Sequence, residues 1–219
     1  MDAADSTYTI RVGSQEVRVP LVAMSDDVTI ALLISVDHGI TFAERAAGEL
    51  AQQLAPFDVD IVVSVATMGI PLAIEVTRAL SLDDYVILHK TPKIHLADAV
   101  GEPVQSITTA SAQRLLFDRA RVDAVAGRRV AVVDDVISTG GSMRAALNLL
   151  RRVGAEPVVI GTLVTEGSTW RQLLGPDAEL VRSLGAIPVF RHGPDGSLIE
   201  EWGTKDGTAP APSPAAGGA

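Results

Sequence analysis

The 219 residues include no cysteine. That excludes disulfides, thiolate-ligated metals and a cysteine nucleophile, and it fits the cytoplasmic location we expect. Aromatic side chains are scarce, 4% of a chain that is 47% hydrophobic, so the core must be mostly aliphatic. No apolar run reaches the roughly 18 residues that a membrane-spanning helix needs. The strongest one near the start, residues 28–36 (VTIALLISV), is strand-length. Met1 is followed by Asp2 and Asp5 rather than by basic residues and an apolar stretch, so neither a secretory signal nor a membrane partner is expected. Basic charge is short as well: 18 Lys and Arg face 27 Asp and Glu, a net charge of −9. A general nucleic-acid binder shows a basic footprint, and direct nucleic-acid contact is not expected here. The exception is residues 90–129, where Lys90, Lys93, Arg114, Arg119, Arg121, Arg128 and Arg129 outnumber Asp98, Glu102, Asp118 and Asp123. A basic segment inside an acidic chain suits a small anionic ligand; a solvated basic surface is the alternative.

The patterning that is present changes along the chain. Residues 8–12 and 16–22 read as strands about a Gly13-Ser14-Gln15 turn, and residues 28–36 as a third strand. Residues 41–55 place Phe42, Ala46, Leu50 and Leu54 on one helical face, with Thr41 and Glu44 spaced as a capping box. Strands at 60–65, 85–89, 129–133, 157–164 and 186–190 then alternate with helices at 70–80, 142–153 and 169–174. This alternation predicts an α/β fold: a mostly parallel central sheet flanked by helices. Residues 91–109 have no sustained period, and a loop that long inside a compact domain is usually functional or mobile. Residues 204–219 (TKDGTAPAPSPAAGGA) have little to bury and are expected to be disordered. The expected organisation is an N-terminal β segment (1–36), a core (37–190), a C-terminal extension (191–203) and that tail.

One stretch combines features that regular structure disfavours: VAVVDDVISTGGSMRAAL, residues 130–147. An apolar strand runs into two adjacent acids, Asp134 and Asp135. Val136 and Ile137 follow, then Ser138, Thr139, Gly140, Gly141 and Ser142 before a helix. In open α/β folds the turn after a strand lies at the carboxyl edge, where ligands bind. Backbone amides and hydroxyls at a helix N-terminus favour an anion. Adjacent carboxylates would repel a polyphosphate but accept hydrogen bonds from vicinal hydroxyls. A diol beside a monophosphate, as in a ribose 5-phosphate, matches both. On the residues alone, two acids closing a strand before an ordinary turn is the alternative.

VVDDVISTGGS resembles the phosphoribosyl-pyrophosphate (PRPP) signature of type I phosphoribosyltransferases, and the likeness extends over residues 28–190. VSVATMGIPLA (63–73) is similar to the family's pyrophosphate loop, and YVILHK (85–90) to the strand before its long mobile loop. The DDVISTGGS turn and the GIPLA helix start are most similar to the adenine branch. The resemblance implies a Rossmann-like core with a small hood and a mobile loop at 91–109. It implies transfer of phosphoribose from PRPP to a purine base, adenine preferred, by a Mg²⁺-dependent homodimer serving nucleotide salvage. Asp134 and Asp135 would hold the ribose hydroxyls and Mg²⁺, directly or through water. Residues Val136, Ile137, Ser138, Thr139, Gly140, Gly141 and Ser142 would bind PRPP, the last five its 5-phosphate. Ala66, Thr67, Met68, Gly69, Lys90 and Lys93 would receive pyrophosphate, with His95 adding charge from the loop.

In hypoxanthine-guanine enzymes the position of Ser138 is an aspartate that handles the base's proton. Ser138 does not ionise near neutrality, so the resemblance moves that task to Glu102 in the loop, with Glu166 a second acid at the same edge. Residues 8–36 and 184–202 are the candidate hood, where Phe190 and Trp202 are candidates to stack on the base. Two other readings of the same resemblance stand beside this one: a non-catalytic PRPP sensor, and an enzyme for hypoxanthine, guanine, xanthine or orotate.

Overall fold

The computed structural model describes residues 6–92, 94, 98–104 and 114–203. Lys93, His95 and the tail from 204 lie outside them. Strand β1 (Thr7–Val12) pairs antiparallel with β2 (Gln15–Ser25), and β3 (Val28–Ala31) returns along β2. The third strand is shorter than its apolar run predicts. A 3₁₀ turn, Ser35–His38, follows and runs directly into α1 (Gly39–Leu54). Thr41 is therefore inside the first turn rather than at the cap. The N-cap position is His38, and no side chain caps the helix.

Strands and helices then alternate. In chain order they are β4 (Ile61–Val65), α2 (Gly69–Ala79), β5 (Tyr85–Leu88), the hairpin β6 (Val100–Pro103) and β7 (Arg114–Phe117), β8 (Arg129–Ile137), α3 (Gly141–Arg152), β9 (Glu156–Glu166), α4 (Thr169–Leu174) and β10 (Val181–Ile187). The main sheet has the order β10-β9-β8-β4-β5, and every pair in it is parallel. All five residues of β4 are buried, as a strand covered on both faces requires. Strand β8 runs four residues past the expected end. Asp134, Val136 and Ile137 stay in register with Thr162, Val164 and Thr165 of β9, and that ladder carries the acids as part of the sheet.

The expected last strand, 186–190, is two strands in different sheets. Pro188 lacks the N–H that a continuing ladder needs. The chain leaves the main sheet at Ile187 and starts β11 (Val189–His192), which pairs with β3 and with β12 (Leu198–Glu201). The second sheet is antiparallel, in the order β1-β2-β3-β11-β12. The segments expected to form a hood thus join from opposite ends of the chain. The core has two apolar clusters. One joins α1, α2 and the second sheet through Leu50, Leu54, Val76, Ile10, Val19 and Phe190. The other joins α3, α4 and the hairpin through Leu147, Leu150, Trp170 and Phe117. Truncating Leu50 or Leu54 to alanine would cost about 2–5 kcal/mol, since both are fully buried.

Candidate functional site

Parallel pairing brings the ends of β4, β5, β8 and β9 to one edge, however far apart they lie in sequence. A cavity of about 240 Å³ opens there. Ala66, Thr67, Met68 and Lys90 line one side, and the unbroken run 134–142 lines the other. Of the residues expected to bind ligand, these share one cavity. Gly69 is just behind the wall. A β-carbon on Gly69 would lie 2.2 Å from Ser64 Oγ and 2.9 Å from Asp134 Oδ1, so only glycine lets α2 start this close to β8. The Ala66–Thr67 peptide beside it is cis.

Gly140 starts α3 with φ of 84°. A β-carbon there would also meet the Trp170 Cα and Cβ at 3.2 Å. Glycine is needed twice over: for the left-handed backbone and for contact with α4. Because Gly140 brings no capping side chain, the first turn of α3, whose Gly141, Ser142 and Met143 line the cavity, keeps amide donors for an anion beyond one long contact with Thr139. Thr139 Oγ1 accepts from the Gly141 N–H at 3.4 Å.

The acids face different neighbours, because successive strand residues alternate. Asp134 sits against Gly69, and its Oδ1 accepts from the Asp135 N–H at 3.1 Å. Burial pushes its carboxyl up to about 8; repulsion from Asp135 adds to this, and Lys90 opposes it. Asp135 faces Ser35, whose hydroxyl donates to Oδ2 at 3.5 Å. Burial raises its pKa as well, against hydrogen bonds that favour the charged form. Its backbone carbonyl accepts from Thr162 Oγ1 at 3.0 Å, which fixes the strand end. Two desolvated carboxylates of raised pKa form a site that hydroxyl donors or a divalent cation would relieve.

The structure does not bring Glu102 to this cavity. Expected to carry the base's proton, it instead accepts from Arg152 at 2.6 Å and from Asn148 at 3.3 Å. Both lie toward the far end of α3, roughly 10–16 Å along the helix axis from Gly141. Phe190 is also spent elsewhere: it is 3% exposed and packs edge-to-face on Tyr8 with centroids 5.0 Å apart. Trp202 donates its Nε1–H to Glu200 at 2.8 Å.

Of two residues beside this run, sequence missed Ser35 and named Glu166 only as a second acid at this edge. Ser35 was read as part of a strand, so its approach to Asp135 had no signal. Glu166 did have one, as an acid closing an apolar strand. It is buried, and its carboxylate accepts a hydrogen bond from the Ser138 hydroxyl. A second cavity, about 210 Å³ and apolar, lies between α1 and α2, with Ser35, Val36, Ile40, Phe42 and Leu72 among its walls.

Residues 39–189 match the family described as phosphoribosyl transferase domain. A hypoxanthine/guanine phosphoribosyltransferase of Methanothrix soehngenii is 33% identical over 133 residues, which is 61% of this chain and 62% of that protein. An orotate phosphoribosyltransferase of Caldanaerobacter subterraneus subsp. tengcongensis is 28% identical over 123 residues, 56% of this chain and 53% of that one. This chain thus spans about half to three-fifths of the length of these curated relatives. The crystal structure of an adenine phosphoribosyltransferase from Thermoanaerobacter pseudethanolicus superposes with a TM-score of 0.66 at 18% identity. That match covers 77% of this chain and 95% of the other, and it is a likeness of fold.

Proposed function

The chain belongs to the phosphoribosyl transferase domain family, and on that premise we propose that it transfers the 5-phosphoribosyl group of PRPP to a purine base, adenine preferred, releasing pyrophosphate. The observation that carries this is one cavity holding two carboxylates, an uncapped helix N-terminus and the Lys90-flanked turn at the ends of adjacent strands. A ribose carrying phosphoryl groups at both ends offers a complement to each. The amides of residues 138–142, with the hydroxyls of Thr139 and Ser142, hold the 5-phosphate. Asp134 and Asp135 accept from the ribose hydroxyls. Ala66, Thr67, Met68 and Lys90 receive the pyrophosphate as its charge develops. The preference for adenine rests on the DDVISTGGS turn and the GIPLA start of α2.

The donor set fits Mg²⁺. Among the described residues no three ligands cluster, and Mg²⁺ commonly takes one or two carboxylates, completing its shell with waters and substrate phosphates. Asp134 and Asp135 would hold it, directly or through water. When bound, it supplies neutralisation of the leaving group's charge.

The reading includes a cytoplasmic homodimer that makes no direct contact with nucleic acid. Among the described residues no helix is long and apolar enough to cross a membrane. Val36 and Ile40, 47% and 75% exposed beside the apolar cavity, offer a partner surface. Sedimentation should give twice 22.9 kDa; a monomer at tens of micromolar would remove the dimer from the account. The activity is tested by incubating protein, Mg²⁺ and PRPP with adenine, hypoxanthine, guanine, xanthine, uracil or orotate in turn and measuring pyrophosphate. Adenine should react fastest. Release with another base alone would reassign the substrate. Tight PRPP binding without release from any base would make the protein a sensor.

A further inference from the structure

The proposed reaction leaves one proton without a destination. A base nitrogen that bonds to the anomeric carbon must lose a ring N–H proton from the same base. On the cavity wall, Asp134 and Asp135 are committed to the sugar's hydroxyls, and Lys90 is a cation. Topology says where the acceptor has to stand. The pyrophosphate turn follows β4, on one flank of β8; β9 lies on the other flank. Strands β4 and β9 are roughly 10 Å apart across β8. In a displacement the nucleophile enters opposite the leaving group, so the base approaches from the β9 flank. The second sheet begins on that flank as well, since β10 leads directly into β11.

Ser138 lines the cavity on that flank, and behind it is Glu166, 7% exposed at the end of β9. The Ser138 hydroxyl donates to the Glu166 carboxylate. With its own proton turned away, the oxygen of Ser138 presents lone pairs to the cavity. Among the described residues no Lys, Arg or His pairs with Glu166. The charged groups on the packed elements are engaged elsewhere. Asp134 and Asp135 of β8 sit against Gly69 and Ser35. Arg144 of α3 donates to the Leu173 carbonyl. Arg171 of α4 stacks on Trp170, and Arg182 of β10 binds the Glu179 and Val181 carbonyls. A buried carboxylate whose one hydrogen-bond partner among the described residues is a cavity-wall hydroxyl is placed to use that hydroxyl.

We propose that Ser138 accepts the ring N–H proton of the incoming base and that Glu166 is the positioning residue behind it. This rests on the transferase reading and adds the proton's path. As the base nitrogen bonds to the anomeric carbon, the bond from that carbon to pyrophosphate oxygen breaks, and its electron pair leaves with pyrophosphate. The N–H proton passes to Ser138 Oγ, whose own proton passes to Glu166. The carboxylate ends as a carboxylic acid and the base ends neutral. Burial raises the Glu166 pKa against the pull of the Ser138 hydrogen bond, which makes it a better proton acceptor than an exposed glutamate.

The test compares wild type with Glu166→Gln, Glu166→Asp, Ser138→Ala and the double variant Ser138→Ala/Glu166→Gln. The readouts are kcat across pH, calorimetric Kd for PRPP with Mg²⁺, and Tm. Glu166→Gln keeps shape and hydrogen bonding, so Tm should be unchanged and the PRPP Kd should stay within about threefold of wild type. Its kcat should fall on the order of 100-fold, and the acidic limb of the pH profile should vanish. Glu166→Asp should restore part of the rate with that limb, and the double variant should be no slower than Ser138→Ala. An active wild type beside an equally active Glu166→Gln would overturn the proposal. So would a Glu166→Gln that loses rate and PRPP affinity in equal proportion with an unchanged profile. A wild type inert with every base would instead overturn the transferase reading itself.

Discussion

Asp134 and Asp135 are consecutive, yet one is walled in by Gly69 and the other reaches Ser35. Each should be needed separately. Asp134→Asn or Asp135→Asn should weaken PRPP binding roughly 10- to 100-fold, the worth of a charge-assisted hydrogen bond, with the fold intact by circular dichroism. Asp134 also sets a pH signature. Its pKa rises from 3.8 to about 8 in the ligand-free protein, chiefly through burial. Between those values the folded state keeps a proton that the unfolded chain has released. The Asp134 contribution therefore lowers stability as pH rises from about 4 to 8. Subtracting the Tm profile of Asp134→Asn from that of wild type isolates this slope, and a flat difference would contradict the assigned burial. Gly140→Ala, which forces both a left-handed backbone and a clash with Trp170, should cost about 1–3 kcal/mol and weaken PRPP binding with it. The glycines and acids were legible in sequence because they break the rules of strands and helices. Ser35 broke none and was invisible.

At the scale of elements, the buried parallel strands were readable from their continuous apolar runs, and the helices from their period. The errors have local causes. The acids, which strands ordinarily avoid, made β8 look finished at Val133, whereas pairing with the long strand β9 carries it to Ile137. Pro188 divides one apolar run between two sheets. The β6–β7 hairpin was not readable, because VGEP carries a glycine, a glutamate and a proline in four residues. That hairpin fastens to α3 through Glu102, Arg152 and Asn148. Arg152 is half exposed, so the pair contributes no more than about 1 kcal/mol. Glu102→Gln should accordingly shift Tm slightly and leave kcat within about twofold of wild type. A 100-fold loss in kcat would return Glu102 to the chemistry.

Across the whole molecule, the two sheets divide what the sequence made plain from what it did not. The family match, residues 39–189, takes in the parallel sheet and the edge that carries the cavity. The second sheet, built from residues 7–31 and 189–201, falls almost wholly outside it. The antiparallel strands were visible as short apolar runs, but nothing in residues 7–25 announces that they share a sheet with residues 189–201. A ligand that closes on this edge stabilises the whole chain. Mg²⁺ and PRPP at 100 times Kd should add about 2.7 kcal/mol, read as a rise in Tm that Mg²⁺ alone does not produce. The most direct measurement is a crystal structure of the protein soaked with PRPP and Mg²⁺. The account predicts the 5-phosphate against the amides of residues 138–142, the ribose hydroxyls at Asp134 and Asp135, and the pyrophosphate at residues 66–69 and Lys90. PRPP bound at another edge of the molecule, with Asp134 and Asp135 untouched, would contradict it.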